Sequence, residues 1–244
     1  MHIEDHAWHS AALDRGMGLR LYGHAGRPIV AFPPQDGSHR DFESFGMIEA
    51  VGPMIEAGRI RVVSVDSVDA ESWTNRELPI PDRARRHEQY ERFVADELVP
   101  WIRERADAGS IWTTGCSMGA YHAATLFFRH PDLFDGVVAI SGLYDLREFV
   151  GETDDRGVHN ASPLRFLPDL DDAWLLERYR RASICFVCGQ GAWEDGMLAD
   201  TRRIGEVLAA RGVPAVIDVW GHDVNHDWPW WQRMLPYELE RMGV

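Results

Sequence analysis

The chain has no lysine: all 25 of its basic residues, among 244, are arginine. That absence excludes whole mechanisms. A Schiff base on the protein, a pyridoxal phosphate anchor, a P-loop NTPase and a kinase β3 lysine all need a primary amine on the chain, and so does Ser-Lys hydrolysis. An arginine-rich, GC-rich genome is the simplest cause of the bias. Positive charge is scarce too. Acidic residues number 39 against 25 basic, a net charge of −14, and such a field repels phosphate backbones, so no nucleic-acid partner is expected.

No apolar run reaches the roughly 20 residues that cross a bilayer, and Met1-His-Ile-Glu-Asp-His6 lacks the basic and apolar parts of a signal peptide. A cytoplasmic protein with no membrane partner is expected. Cysteine is sparse, at three residues. Cys185 and Cys188 have redox-motif spacing, but they lie within one apolar run rather than at a helix start, so they read as buried thiols, as a reducing compartment allows. Repeats, low-complexity tracts and Ser/Gly linkers are missing as well. A single domain spanning 1–244 is therefore expected, and nothing in the sequence excludes a homo-oligomer.

What is present is an alternation. Short β-branched runs at 28–32, 60–65, 110–114, 136–141, 183–188 and 215–220 are nearly all apolar on both faces, as parallel strands covered by helices require. An alternating segment at 18–22 reads as an antiparallel edge strand. Helical periodicity covers 83–105, 118–129, 197–211 and 229–242, with Pro100 expected to kink or break the first of these. An α/β fold with a mainly parallel sheet follows, with no large separate lid domain. The irregular, Asp- and Pro-rich segment 142–181 is placed over one end of the sheet, in reach of an active site there.

The strongest motif is Gly115-Cys-Ser117-Met-Gly119, between a strand and a helix. That context makes it a nucleophile elbow, in which the flanking glycines permit a sharp turn and the serine hydroxyl projects at the carboxyl edge of the sheet. A serine near its ordinary pKa needs a base, and α/β-hydrolases supply acid and then histidine, in that order, further along the chain. Past the last predicted strand lie His222 and His226. Pro229 starts a helix just after His226, which is the better base, while His222 directly follows the strand. Past the penultimate strand come Glu194 and Asp195. Only one can orient the imidazole; Glu194 is chosen, Asp195 is the alternative, and Asp200 lies inside the next helix. For the oxyanion, the Met118 amide follows the nucleophile, and the loop after Phe32 supplies the second donor. Pro33 and Pro34 lack an N–H, which leaves Gln35, then Asp36. His222 and His226 also have the i, i+4 spacing of zinc ligands, but Pro229 starts the helix after them and His-Glu-x-x-His is absent, so no metal is expected.

With these residues in place, the chain resembles the esterase branch of the α/β-hydrolases, the group containing esterase D and the mycolyltransferases. Besides the elbow, the resemblance rests on His130-Pro-Asp-Leu-Phe-Asp-Gly-Val-Val-Ala-Ile-Ser-Gly-Leu-Tyr-Asp145, Asn160-Ala-Ser-Pro163 and His226-Asp-Trp-Pro-Trp-Trp231. It implies a cofactor-free, carboxylesterase-type serine hydrolase acting on small-molecule esters or thioesters, and it favours His226 because of the Asp-Trp that follows. The Pro33-Pro-Gln-Asp-Gly37 loop departs from a His-Gly-Gly oxyanion loop. Two other readings share these residues: an acyltransferase with the same triad, and a non-catalytic binding domain on a hydrolase scaffold.

Overall fold

The computed structural model describes residues 1–106 and 109–244. Eight strands form one open sheet: β1 (Ile3–Ser10), β2 (Arg15–Tyr22), β3 (Arg27–Phe32), β4 (Ile60–Val65), β5 (Trp112–Cys116), β6 (Gly136–Ile140), β7 (Ser183–Cys188) and β8 (Val216–Val219). Their spatial order is β1-β2-β4-β3-β5-β6-β7-β8. β2 runs antiparallel to both β1 and β4, and all other pairs are parallel.

The parallel strands read as continuous apolar runs because each of their faces has its own core. Val30, Phe32, Val137, Ala139, Ile184 and Phe186 pack with the long helices on one side. Their alternates Ile29, Ala31, Val138, Ile140, Cys185 and Val187 pack on the other side with Met234, Leu235 and Leu239 of the C-terminal helix (Trp228–Arg241). Each fully buried Val or Ile contributes about 1.5–3 kcal/mol, so a polar substitution on either face would be destabilising.

Two expectations need correction, and a third, the kink or break at Pro100, is narrowed. Residues 18–22 belong to an antiparallel strand, but not to the edge; β1 lies outside β2. β1 reads Ile-Glu-Asp-His-Ala-Trp-His-Ser and is half exposed along its length, so it lacks the β-branched, apolar signature that betrays a covered strand. β5 starts two residues later than expected and runs to Cys116, because Gly115 and Cys116 continue the ladder opposite Ala139 and Ile140. The helix over 83–105 does not break at Pro100. It runs from Ile80 to Arg105, and Phe93–Leu98 widen into π-helical geometry just ahead of the proline. Pro100 has no N–H for the carbonyl four residues back, and the wider turn accommodates its ring.

The segment 142–181 folds into short helices at Arg147–Val150, Arg156–Ala161, Pro163–Phe166 and Ala173–Arg181. Its residues Leu146, Val158 and Ala161 cluster with Trp73, Ala84, Met118 and Tyr121, so it lies along the helices and touches the residue next to Ser117. What positions the site is the sheet's carboxyl edge. Phe32 pairs with Gly115, Cys116 with Ile140, Ile140 with Val187, and Cys188 with Val219. The strand ends are level, and the loops after β3, β5, β6, β7 and β8 open at one rim.

Candidate active site

Ser117 stands between β5 and the helix Met118–Arg129 with φ 58° and ψ −123°, a conformation that costs a non-glycine residue about 1–3 kcal/mol. Close packing enforces it. A Cβ on Gly119 would lie 2.1 Å from the Phe32 carbonyl oxygen, and one on Gly115 would lie 2.3 Å from the Gly119 carbonyl carbon. Glycine at both places lets β3, β5 and the helix start converge, and Ser117 is left half-buried at the rim.

His226 reaches Ser117 from the loop after β8. That loop is zipped to the one after β7: the Gly191 N–H donates to Val224 O at 2.8 Å, the His226 N–H to Ala192 O at 3.0 Å, and the Ala192 N–H to Asn225 Oδ1 at 2.8 Å. Asp227 accepts from the Trp228 N–H and so starts the C-terminal helix. The imidazole is gripped on two edges. Its Nε2 lies 2.9 Å from Ser117 Oγ, and its Nδ1 lies 3.3 Å from Glu194 Oε2. A carboxylate only accepts, so the proton sits on Nδ1, and the Nε2 lone pair faces the serine hydroxyl, which donates to it. Trp231 packs against the ring with centroids 4.9 Å apart, almost perpendicular.

Glu194 is fully buried. Besides His226, it takes a 2.6 Å hydrogen bond from the Ser141 hydroxyl and a 3.3 Å contact from the Cys188 thiol. Burial alone would raise its pKa, but the bonds from His226 and Ser141 outweigh it and hold the carboxyl below its ordinary value. It therefore stays ionised at any pH where imidazole can act as a base. Asp195 is exposed and opens the helix Asp195–Ala210, so the turn that buries one carboxylate sends the other to solvent. Asp200 accepts from the Tyr144 and Asp145 amides instead, and His222 is exposed. Glu194→Gln is expected to lower turnover of p-nitrophenyl acetate by about 10³–10⁴-fold, since the imidazolium loses its counter-charge and its tautomer is no longer fixed. Asp195→Asn is expected to stay within about twofold, on the rule for exposed sites. The reverse ranking would transfer the acid's role to Asp195.

Ser141 escapes sequence reasoning. It follows β6, is fully buried, and has φ 52°. While donating to Glu194, it accepts from Trp231 Nε1 at 3.3 Å, so the C-terminal helix is wired to the carboxylate through one hydroxyl. Its sequence signals are its position, at the end of an apolar run one strand over from Ser117, and its place in the 130–145 block; neither indicates this role.

The two backbone amides expected to meet a developing negative charge belong to Met118 and Gln35. Met118 opens its helix and has no carbonyl one turn back to bond. On the facing loop the Asp36 N–H is engaged with Asp69 Oδ2 at 3.1 Å, whereas the Gln35 N–H makes no hydrogen bond among the described residues. The Gly119–Phe32 approach brings that loop beside the helix start. Among the described residues, no group of three or more His, Cys, Asp or Glu side chains is disposed to hold a metal ion. Cys116, Cys185 and Cys188 are buried free thiols.

An eight-stranded sheet in this order, with Ser117, Glu194 and His226 on the loops after β5, β7 and β8, defines an α/β-hydrolase. The chain matches the family model described as Putative esterase over residues 10–242. It belongs to that family and is a carboxylesterase-type hydrolase. No curated protein matches it. Among solved structures it is similar to a ferulic acid esterase (17% identity, TM-score 0.76, covering 99% of this chain and 96% of that one). It is similar as well to the Mycobacterium tuberculosis protein MPT51 (16% identity, TM-score 0.75, 99% and 98%). A third is the S-formylglutathione hydrolase FrmB of Staphylococcus aureus (13% identity, TM-score 0.72, 99% and 99%). At these identities the likeness is one of fold.

Proposed function

We propose that the protein hydrolyses carboxylic esters or thioesters of small molecules through an acyl-enzyme on Ser117. The reading rests on one observation above others, the 2.9 Å contact between Ser117 Oγ and His226 Nε2 in a relay that ends on a buried carboxylate. Ser117 Oγ attacks the carbonyl carbon as His226 Nε2 takes its proton. Charge gathers on the former carbonyl oxygen, and the Met118 and Gln35 amides stabilise it. Glu194 offsets the imidazolium. The tetrahedral intermediate collapses and His226 protonates the departing alcohol or thiol. Water, deprotonated by the same nitrogen, then attacks the acyl-enzyme and releases the acid. No helix among the described residues is long and apolar enough to cross a membrane, and three free thiols suit a reducing cytoplasm.

A fluorophosphonate probe tests this reading. The wild-type protein is expected to be labelled stoichiometrically on Ser117 and to release p-nitrophenol from short acyl esters. No labelling under conditions where other serine hydrolases react would favour a binding domain. Added alcohol or amine acceptors that divert the acyl group completely from water would make the protein an acyltransferase.

A further inference from the structure

Asp69 is a fully buried carboxylate outside the relay, in the turn Asp69–Glu71 that follows β4. It joins two segments far apart in sequence. One oxygen, Oδ2, accepts from the Asp36 N–H at 3.1 Å, in the loop after β3. The other, Oδ1, accepts from His122 Nε2 at 2.7 Å, in the helix that begins at Met118. His122 is fully buried too, with its ring near those of Phe32, Tyr90 and His87. Asp36 holds a positive φ of 55° although it is not glycine, and a second tether helps keep it there. The Thr74 hydroxyl donates to Asp36 Oδ1 at 2.7 Å, while the Thr74 amide donates to Asp69 O at 3.1 Å.

A buried ionic or polar pair is not the cheapest way to fill such a space; apolar side chains of similar volume would be as stable or more so. Its location supplies a reason. The hydrogen bond from Asp36 fixes the peptide next to the Gln35 N–H, and the bond from His122 ties that peptide to the helix whose first amide is Met118. We propose that Asp69, with His122, is the positioning device that sets the spacing of the two oxyanion donors. The proposal rests on the serine-hydrolase reading and on Gln35 as the second donor. Asp69 touches no reacting atom; it acts through the loop.

The test compares wild type, Asp69→Ala and Asp69→Asn by kcat and KM for p-nitrophenyl acetate and by inhibition with an alkyl trifluoromethyl ketone. That inhibitor adds to the serine and leaves an oxyanion in the hole. Loss of one whole donor lowers turnover by about 10²–10³-fold, so a displaced donor should lower kcat by roughly ten- to a hundredfold. Asp69→Ala is expected to do so with KM within about threefold, while the ketone's inhibition constant rises by a similar factor. Asp69→Asn keeps an oxygen for the Asp36 N–H and is expected to recover most of the loss. If Asp69→Ala does not fold, His122→Leu removes the helix-side donor at similar volume and should shift both quantities in the same direction. A folded variant with wild-type kcat, or a fall in kcat with unchanged ketone affinity, would overturn the proposal. If instead the wild-type protein resists fluorophosphonate, it is the hydrolase reading that fails.

Discussion

Ser117→Ala is expected to abolish turnover of p-nitrophenyl esters, by about 10⁶-fold where the nucleophile of such a relay is removed, while leaving the fold in place. The two halves of that expectation have separate physical origins. Chemically, the proposed acyl-enzyme loses the oxygen on which it forms, and Cys116, the neighbouring nucleophile in sequence, is no substitute: it is fully buried, and burial drives its thiol pKa well up. Structurally, Ser117 makes one side-chain hydrogen bond among the described residues, to His226, and its backbone strain is imposed by the convergence around Gly115 and Gly119, not by the hydroxyl. Alanine carries the same Cβ into the same φ of 58°. One hydrogen bond contributes about 0.5–1.5 kcal/mol, a shift of a few degrees in melting temperature for a chain of this size. Ester turnover and a thermal melt measured on one preparation check both halves. A correctly folded, fully active Ser117→Ala protein would sink the mechanism.

The elbow is legible in sequence because its constraints are local. Five residues must make a turn so tight that two of them can be only glycine, and a strand and a helix must flank them. The sheet is legible for a similar reason, since coverage on both faces leaves β-branched runs with few polar interruptions. β1 is not, because an edge strand needs only one buried face and its polar residues carry no periodic signal strong enough to stand out. The choice between Glu194 and Asp195 turns on where a helix starts, to within one residue, and periodicity does not resolve boundaries so finely. Ser141 and Asp69 lie further beyond reach. Their roles depend on contacts across the fold, from Ser141 to residues 194 and 231 and from Asp69 to residues 36 and 122. Even the missing lysine acquires a structural side. Buried Arg83 donates to the carbonyls of Ser72, Trp73 and Phe149 at once, a forked arrangement suited to a planar guanidinium.

His226→Ala is expected to cripple turnover nearly as far as loss of the nucleophile, by about 10⁵–10⁶-fold, whereas His222→Ala should stay within about twofold. The two histidines are four residues apart on one loop, so sequence order alone separates them weakly; geometry separates them fully. His226 has both ring nitrogens engaged, on Ser117 and on Glu194, and its backbone is held by Ala192 O. His222 is exposed. Without the imidazole, Ser117 keeps its ordinary, weakly nucleophilic hydroxyl and the departing alkoxide has no proton donor, so both acylation and deacylation slow. Alanine also opens a space beside Trp231, where the imidazole ring had packed. Free imidazole diffusing into that space is expected to restore part of the activity of His226→Ala and none in Ser117→Ala. Rates for the two histidine variants, with and without added imidazole, check the assignment. If His222→Ala proved the more damaging and His226→Ala remained active, the base would have to be reassigned to His222.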